Sequence, residues 1–79
     1  MHKTITKYAV YHDGAVAGSF SSIRDARGHA SLMSRDGSDA EVYLQPVRVI
    51  DGIHVSDAAE ARLVATYSAG RVVRARRAA

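Results

Sequence analysis

Apolar and polar residues alternate along two runs, Thr4 to His12 and Ala15 to Ser21, on either side of Asp13-Gly14. Alternation at period two is the mark of a half-buried strand, and Asp-Gly is the pair a two-residue type I′ turn demands. The stretch predicts a β-hairpin. Its register follows from the turn: His12 opposite Ala15, Tyr11 opposite Val16, Val10 opposite Ala17, Ala9 opposite Gly18 and Lys7 opposite Phe20. One face then carries Ile5, Ala9, Tyr11, Val16 and Phe20. It is the expected core face, because its apolar groups come from both strands and include the only Phe. Lys7 interrupts it and fits there only at a sheet edge, with its amine reaching water. The other face carries Tyr8, Val10, His12, Ala17 and Ser19.

After the hairpin the period changes. Ser22 is a good N-cap, and Asp25 three positions later suits a capping box and the helix dipole. Ile23, Ala26, Ala30 and Met33 then recur at helical spacing, which predicts a helix from about Ile23 to Arg35. Two of the four stripe residues are Ala, so this helix can approach a sheet closely. Gly37 is placed to end it in the left-handed conformation. Alternation returns at Ala40 to Gln45, with Ala40, Val42 and Leu44 on one face and Glu41, Tyr43 and Gln45 on the other. Pro46 lacks a ladder donor and marks an edge, a bulge or a break. Val47 to Ile50 resumes the strand, Asp51-Gly52 is a second I′-type turn, and Ile53 to Val55 returns antiparallel.

Ser56-Asp57-Ala58-Ala59-Glu60 has the caps and first-turn acids of a second helix, with Ala59, Leu63, Val64 and Tyr67 as its buried face and Gly70 as its end. The competing reading is a strand over Arg62 to Tyr67, a turn at Ser68-Ala69-Gly70 and a last strand over Arg71 to Arg74. The expected order is β-β-α-β-(β)-α. That is an α+β fold, a small antiparallel sheet with one or two helices packed on it.

Length and charge narrow the picture. The 79 residues make one domain, of marginal stability on the order of 5 kcal/mol. The formal charge of +3 is unevenly spread: residues 1–70 carry seven Lys and Arg against eight acids, and residues 71–79 carry four Arg and no acid. The expected division is a near-neutral body, 1–70, and an Arg-rich tail, 71–79. No Cys is present, which removes disulfides and thiolate metal sites and fits an intracellular, cytoplasmic chain. No apolar run approaches the roughly 20 residues of a membrane helix, and the first residues lack the apolar core of a secretory signal.

Candidate chemistry is sparse. His2, His12, His29 and His54 show no metal-ligand spacing, so neither metal nor cofactor is expected. His12-Asp13 is turn chemistry first, and no nucleophile is apparent beside it. Ser21, Ser22 and Ser56 read as caps, and Asp13, Asp25, Asp36, Asp51 and Asp57 as turn or cap residues. No nucleophile elbow and no phosphate-cradling glycine loop is present. A non-enzymatic chain is expected. An enzyme built on His12, His54 and carboxylates is the minor alternative. Arg71, Arg74, Arg76 and Arg77 are candidates for phosphate contact, with Arg48 or Arg62 adding reach, and their binding would fade with salt. If the tail were helical, Arg74 and Arg77 would share a face. Tyr8, Val10 and Ala17, with Tyr43 beside them, form the expected protein-binding patch, unless a helix covers that face. The two sheet edges offer a further route to a homodimer.

The Asp13-Gly14 hairpin followed by F-S-S-I-R-D-A-R-G-H-A, with Ser22, Ala26 and Ala30 in a Ser-x-x-x-Ala-x-x-x-Ala pattern, resembles small orphan accessory proteins of bacteriophages and actinobacteria. The resemblance covers roughly residues 5–50 and carries no catalytic residue. It implies a phage-type accessory protein that binds a host complex and modulates it. The basic C-terminus departs from the acidic, DNA-mimicking kind. The functional expectation is therefore a protein-binding module acting through a sheet face or edge. Nucleic-acid binding through the Arg-rich end is the alternative.

Overall fold

A computed structural model describes residues 2–75, with the side chains of 3–73. The elements run β1 (His2–His12), β2 (Ala15–Phe20), α1 (Ile23–Met33), a 3-10 turn (Ser34–Asp36), β3 (Asp39–Ile50), β4 (Ile53–Ser56), a second 3-10 turn (Ala58–Glu60), β5 (Arg62–Ser68) and β6 (Arg71–Ala75). Every strand pairing is antiparallel, in the order β2-β1-β3-β5-β6. The remaining strand, β4, pairs with β3 on the same edge as β5, further along. One helix on one face of this sheet makes the fold α+β, as expected.

The helix begins where its cap predicts. Ser22 Oγ accepts from the Asp25 amide, and Ala26 and Ala30 are fully buried against the sheet. The 3-10 turn that follows ends at Gly37, whose φ is +93°. Pro46 interrupts nothing in the ladder to β1, where it stands opposite Thr6. On the other edge of β3 it falls in the interval between the last pair with β5, Leu44–Arg62, and the first with β4, Val47–Ser56.

Three expectations are corrected. The second helix does not form: residues 62–75 are the β5–β6 hairpin, turned by Ala69 and Gly70 at positive φ. The Asp57 cap is genuine, since its carboxylate accepts from the Ala59 amide at 2.9 Å, but it starts a single 3-10 turn. Val64, Thr66 and Tyr67 favour the pleated ladder that follows. Val64 and Tyr67 are buried, but from a strand, and Ala59 is exposed. Residues 71–75, expected as the start of an Arg-rich tail, form β6. Arg76 and Arg77 lie outside the described residues.

The third correction concerns the first hairpin. Its pairs His12–Ala15 and Tyr11–Val16 are as expected, but Ala17 is an extra residue in β2, a β-bulge. Past it the pairs are Val10–Gly18, Ala9–Ser19 and Tyr8–Phe20. The bulge moves Phe20 onto the face of Tyr8 and Val10, and Ala17 packs there as well. With Ala40, Val42 and Leu44 of β3 and Val64, Ala65 and Tyr67 of β5, that face is the core under α1. The core face is thus the opposite of the one expected.

Candidate binding surfaces

The expected patch is dispersed by this inversion. Val10 is 0% exposed beneath the helix, and Tyr8 and Ala17 are partly buried against the same core. Only Tyr43 lies on the uncovered face. A helix does cover the Tyr8–Val10 face, but it is α1.

The uncovered face can be read from the ladders. Directly paired residues share a face, so one side of β1, β3 and β5 carries, in successive rows, Tyr11 with Glu41 and Thr66, Ala9 with Tyr43 and Leu63, Lys7 with Gln45, Ile5 with Val47, and Lys3 with Val49. Tyr11 and Tyr43 meet edge to face, ring centroids 5.3 Å apart, and Val16 beside Tyr11 is 64% exposed. Partial burial, and then the Glu41 carboxylate two residues away, raise the Tyr43 phenol above its ordinary pKa of 10.0.

Beyond the helix, residues 2–7 of β1, 45–50 of β3 and all of β4 form a three-stranded arm that α1 does not cover, in which Val47 alone is buried among the described residues. The residues that pack under α1 end at Tyr8 on β1 and Leu44 on β3. On the helix side of the arm, Ile50 pairs directly with Ile53, and Val55 stands opposite Arg48. These three apolar residues are 42%, 65% and 44% exposed. The base of the arm is tied down by Gln45 Nε2, which donates to the carbonyls of Asp57 and Pro46, and by the Arg48–Glu60 ion pair at 3.3 Å.

A third surface is basic. A groove of about 470 Å³ runs along the outer flank of α1, lined by Ile23, Arg24, Arg27, Gly28, Ser31 and Tyr67. Arg27 Nε donates to Tyr67 Oη at 2.6 Å, which holds the guanidinium at the groove wall. Arg24 and Arg27 have no carboxylate partner among the described residues. Arg71 and Arg74 stand opposite Ser68 and Thr66 on β6, so the strand, rather than a helical tail, spaces them.

One constellation was not foreseen. Ser38 Oγ donates to Asp36, whose carboxylate also accepts the Ser38 amide at 2.9 Å, and His12 hydrogen-bonds to the same Oγ. The expectation of no nucleophile near His12 missed Ser38, 26 residues away in sequence. The two bonds from Ser38 hold the Asp36 carboxyl below its ordinary pKa of 3.8. Because the hydroxyl proton goes to the carboxylate, His12 is a donor through Nε2–H and not a base for Ser38. The arrangement fastens the first hairpin to the start of β3. His29 contacts Ala17 O and Phe20, while His12 and His54 lie at opposite ends of the sheet. Among the described residues no three His, Asp or Glu gather as metal ligands, and no helix is long and apolar enough to cross a membrane. Comparison with protein-family models, curated proteins and solved structures finds no match for this chain.

Proposed function

We propose that the protein is a non-enzymatic binding module that captures another protein with the arm. The observation that carries this reading is the contiguous Ile50, Ile53 and Val55 patch on a single layer of sheet beyond the reach of the helix. Exposed apolar groups that adjoin one another, with polar neighbours such as Arg48 and Thr4, are the usual make-up of a protein contact. The second edge of β4, which pairs with no strand among the described residues, adds main-chain donors and acceptors beside them. A host complex, which the phage-type resemblance implies, is the partner this reading expects.

Ile53→Asp and Val55→Asp are expected to abolish affinity capture of the partner, while Leu32→Asp, exposed on the outer side of α1, leaves it intact. All three should melt near wild type. Capture that survives both arm variants overturns the reading.

Nucleic-acid binding is the second reading, favoured by Arg24 and Arg27 at the groove, which have no carboxylate partner among the described residues, and by the Arg run that begins on β6. It expects duplex or single-strand affinity that falls steeply with salt and is lost in Arg24→Gln/Arg27→Gln. Salt-independent or absent binding rejects it.

A further inference from the structure

We infer that the sheet face opposite α1 is the contact surface of a homodimer, in which two copies stack face to face with their strands reversed. The charges on this face are sorted along the strands. Lys3 and Lys7 lie toward the arm, and Glu41 and Asp39 lie toward the other end. Between and beside them are Ile5, Val47, Ala9, Tyr43, Tyr11 and Leu63. None of the four charges has an ion-pair partner among the described residues; Lys7 donates only to Ser21 Oγ, at 2.8 Å. A face that is basic at one end, acidic at the other and apolar between is the complement of its own reversed copy. That is the property an isologous interface requires.

Rotation about a two-fold axis lying across the strands lays β1 over β1 and β3 over β3 in opposite directions. Tyr11 then meets Ile5 of the second copy. Glu41 comes over the Ile5–Val47 row of the second copy, where Val47 is only 7% exposed and Lys3 and Lys7 flank Ile5, and Asp39 comes beside Lys3. The alternative two-fold, along the strands, sets Glu41 against Glu41 and keeps all like charges at the same ends, whereas across the strands only the central Lys7 comes near its own counterpart. Arg71 is two ladders out from Asp39, on the edge strand, at the rim of the stack. The face measures roughly 40 by 18 Å from strand rise and spacing, about 700 Å² per copy. That falls within the roughly 600–1,000 Å² per partner of a standard interface. The stack leaves Ile50, Ile53 and Val55 free, because they point to the helix side.

Sedimentation velocity tests this directly. Wild type should sediment at twice the 8.5 kDa of one chain. Lys3→Glu/Lys7→Glu and Asp39→Lys/Glu41→Lys should each raise the dimer dissociation constant by about tenfold or more, and an equimolar mixture of the two should restore a dimer. Circular dichroism verifies each fold. Lys3→Glu and Asp39→Lys, both at exposed positions, serve alone if a double variant unfolds. A wild type that stays monomeric at about 100 μM, well above the micromolar range of weak specific dimers, overturns the inference. So does a dimer indifferent to the swaps, or a mixture that does not re-pair. Ile53→Asp should dimerise as wild type does, so loss of the dimer and loss of the arm's partner are separable results.

Discussion

At the scale of single residues, three turns share one backbone conformation and differ in how well their residues suit it. Asp13-Gly14, Asp51-Gly52 and Ala69-Gly70 all have positive φ at both positions, 52° and 79°, 50° and 79°, 52° and 78°. Asp tolerates the left-handed region through its short polar side chain, whereas Ala carries a Cβ penalty of roughly 1–2 kcal/mol there. Ala69→Asn is therefore expected to stabilise the fold by about 1 kcal/mol, a rise of roughly 5 °C in Tm, read by thermal melting. No change, or a loss, would mean that the turn is not of this type in solution. Tyr43 gives a second residue-level expectation. Its folded pKa lies above the unfolded value of 10.0, so the neutral phenol contributes stability that is complete below pH 10 and lost as pH rises through the folded value. Tyr43→Phe should be less sensitive than wild type to that alkaline loss. Identical denaturant midpoints at each pH would remove the assignment.

At the scale of elements, the end of α1 is joined to the β5–β6 turn by two serines. Ser31 Oγ donates to Gly70 O at 2.7 Å, and the fully buried Ser34 Oγ donates to Ser31 O and accepts from the Gly70 amide at 3.0 Å. Ser34→Ala leaves that amide without its partner and should cost about 1–3 kcal/mol, with faster hydrogen exchange at Gly70 than at the rest of β5. A cost below about 0.5 kcal/mol would show that water replaces the hydroxyl. The same contact explains what could and could not be read from the chain. The hairpin turns with Asp-Gly, the Ser22 cap, the Ala26–Ala30 stripe and the alternation of Ala40 to Gln45 are local signals, and each appears as written. Residues 57–70 carried conflicting signals, a true cap followed by β-branched and aromatic residues. The turn at Ser68-Ala69-Gly70 belonged to the competing reading, and the contacts of Ser31 and Ser34 that support it come from 36 or more residues away. The inverted core face has an equally local origin. One bulged residue, Ala17, reverses the side on which Phe20 emerges, and Tyr8, Val10 and Ala17 of the expected patch lie on the core side while Tyr43 does not.

At the scale of the whole molecule, the shape follows from how much of the sheet the single helix covers. An 11-residue helix spans about 16 Å, whereas β3 with 12 residues extends about 40 Å. The helix-covered half has two layers and the main core, whereas in the arm only Val47 is buried among the described residues. The molecule is correspondingly long, 44 Å along its main axis, with a radius of gyration of 12.9 Å against roughly 12 Å for a compact chain of this length. Three strands that α1 does not cover bury little beyond Val47, and such a segment opens at lower free energy than the domain it extends. Yet the arm is apolar on both faces, Ile5, Val47 and Val49 on one and Ile50, Ile53 and Val55 on the other. The two proposed contacts divide these faces between them, the second copy covering the first set and the captured protein the second. Hydrogen exchange measured across a dilution series should resolve this. In dilute protein, amides of residues 3–6 and 47–55 should exchange well ahead of those in 8–12, 40–44 and 64–67. At concentrations where the dimer forms, the arm should gain protection by about tenfold or more while the two-layered half is unchanged. Protection that is uniform along β1 and β3 at every concentration would mean that the arm folds with the body as one cooperative unit and needs no second copy to hold it.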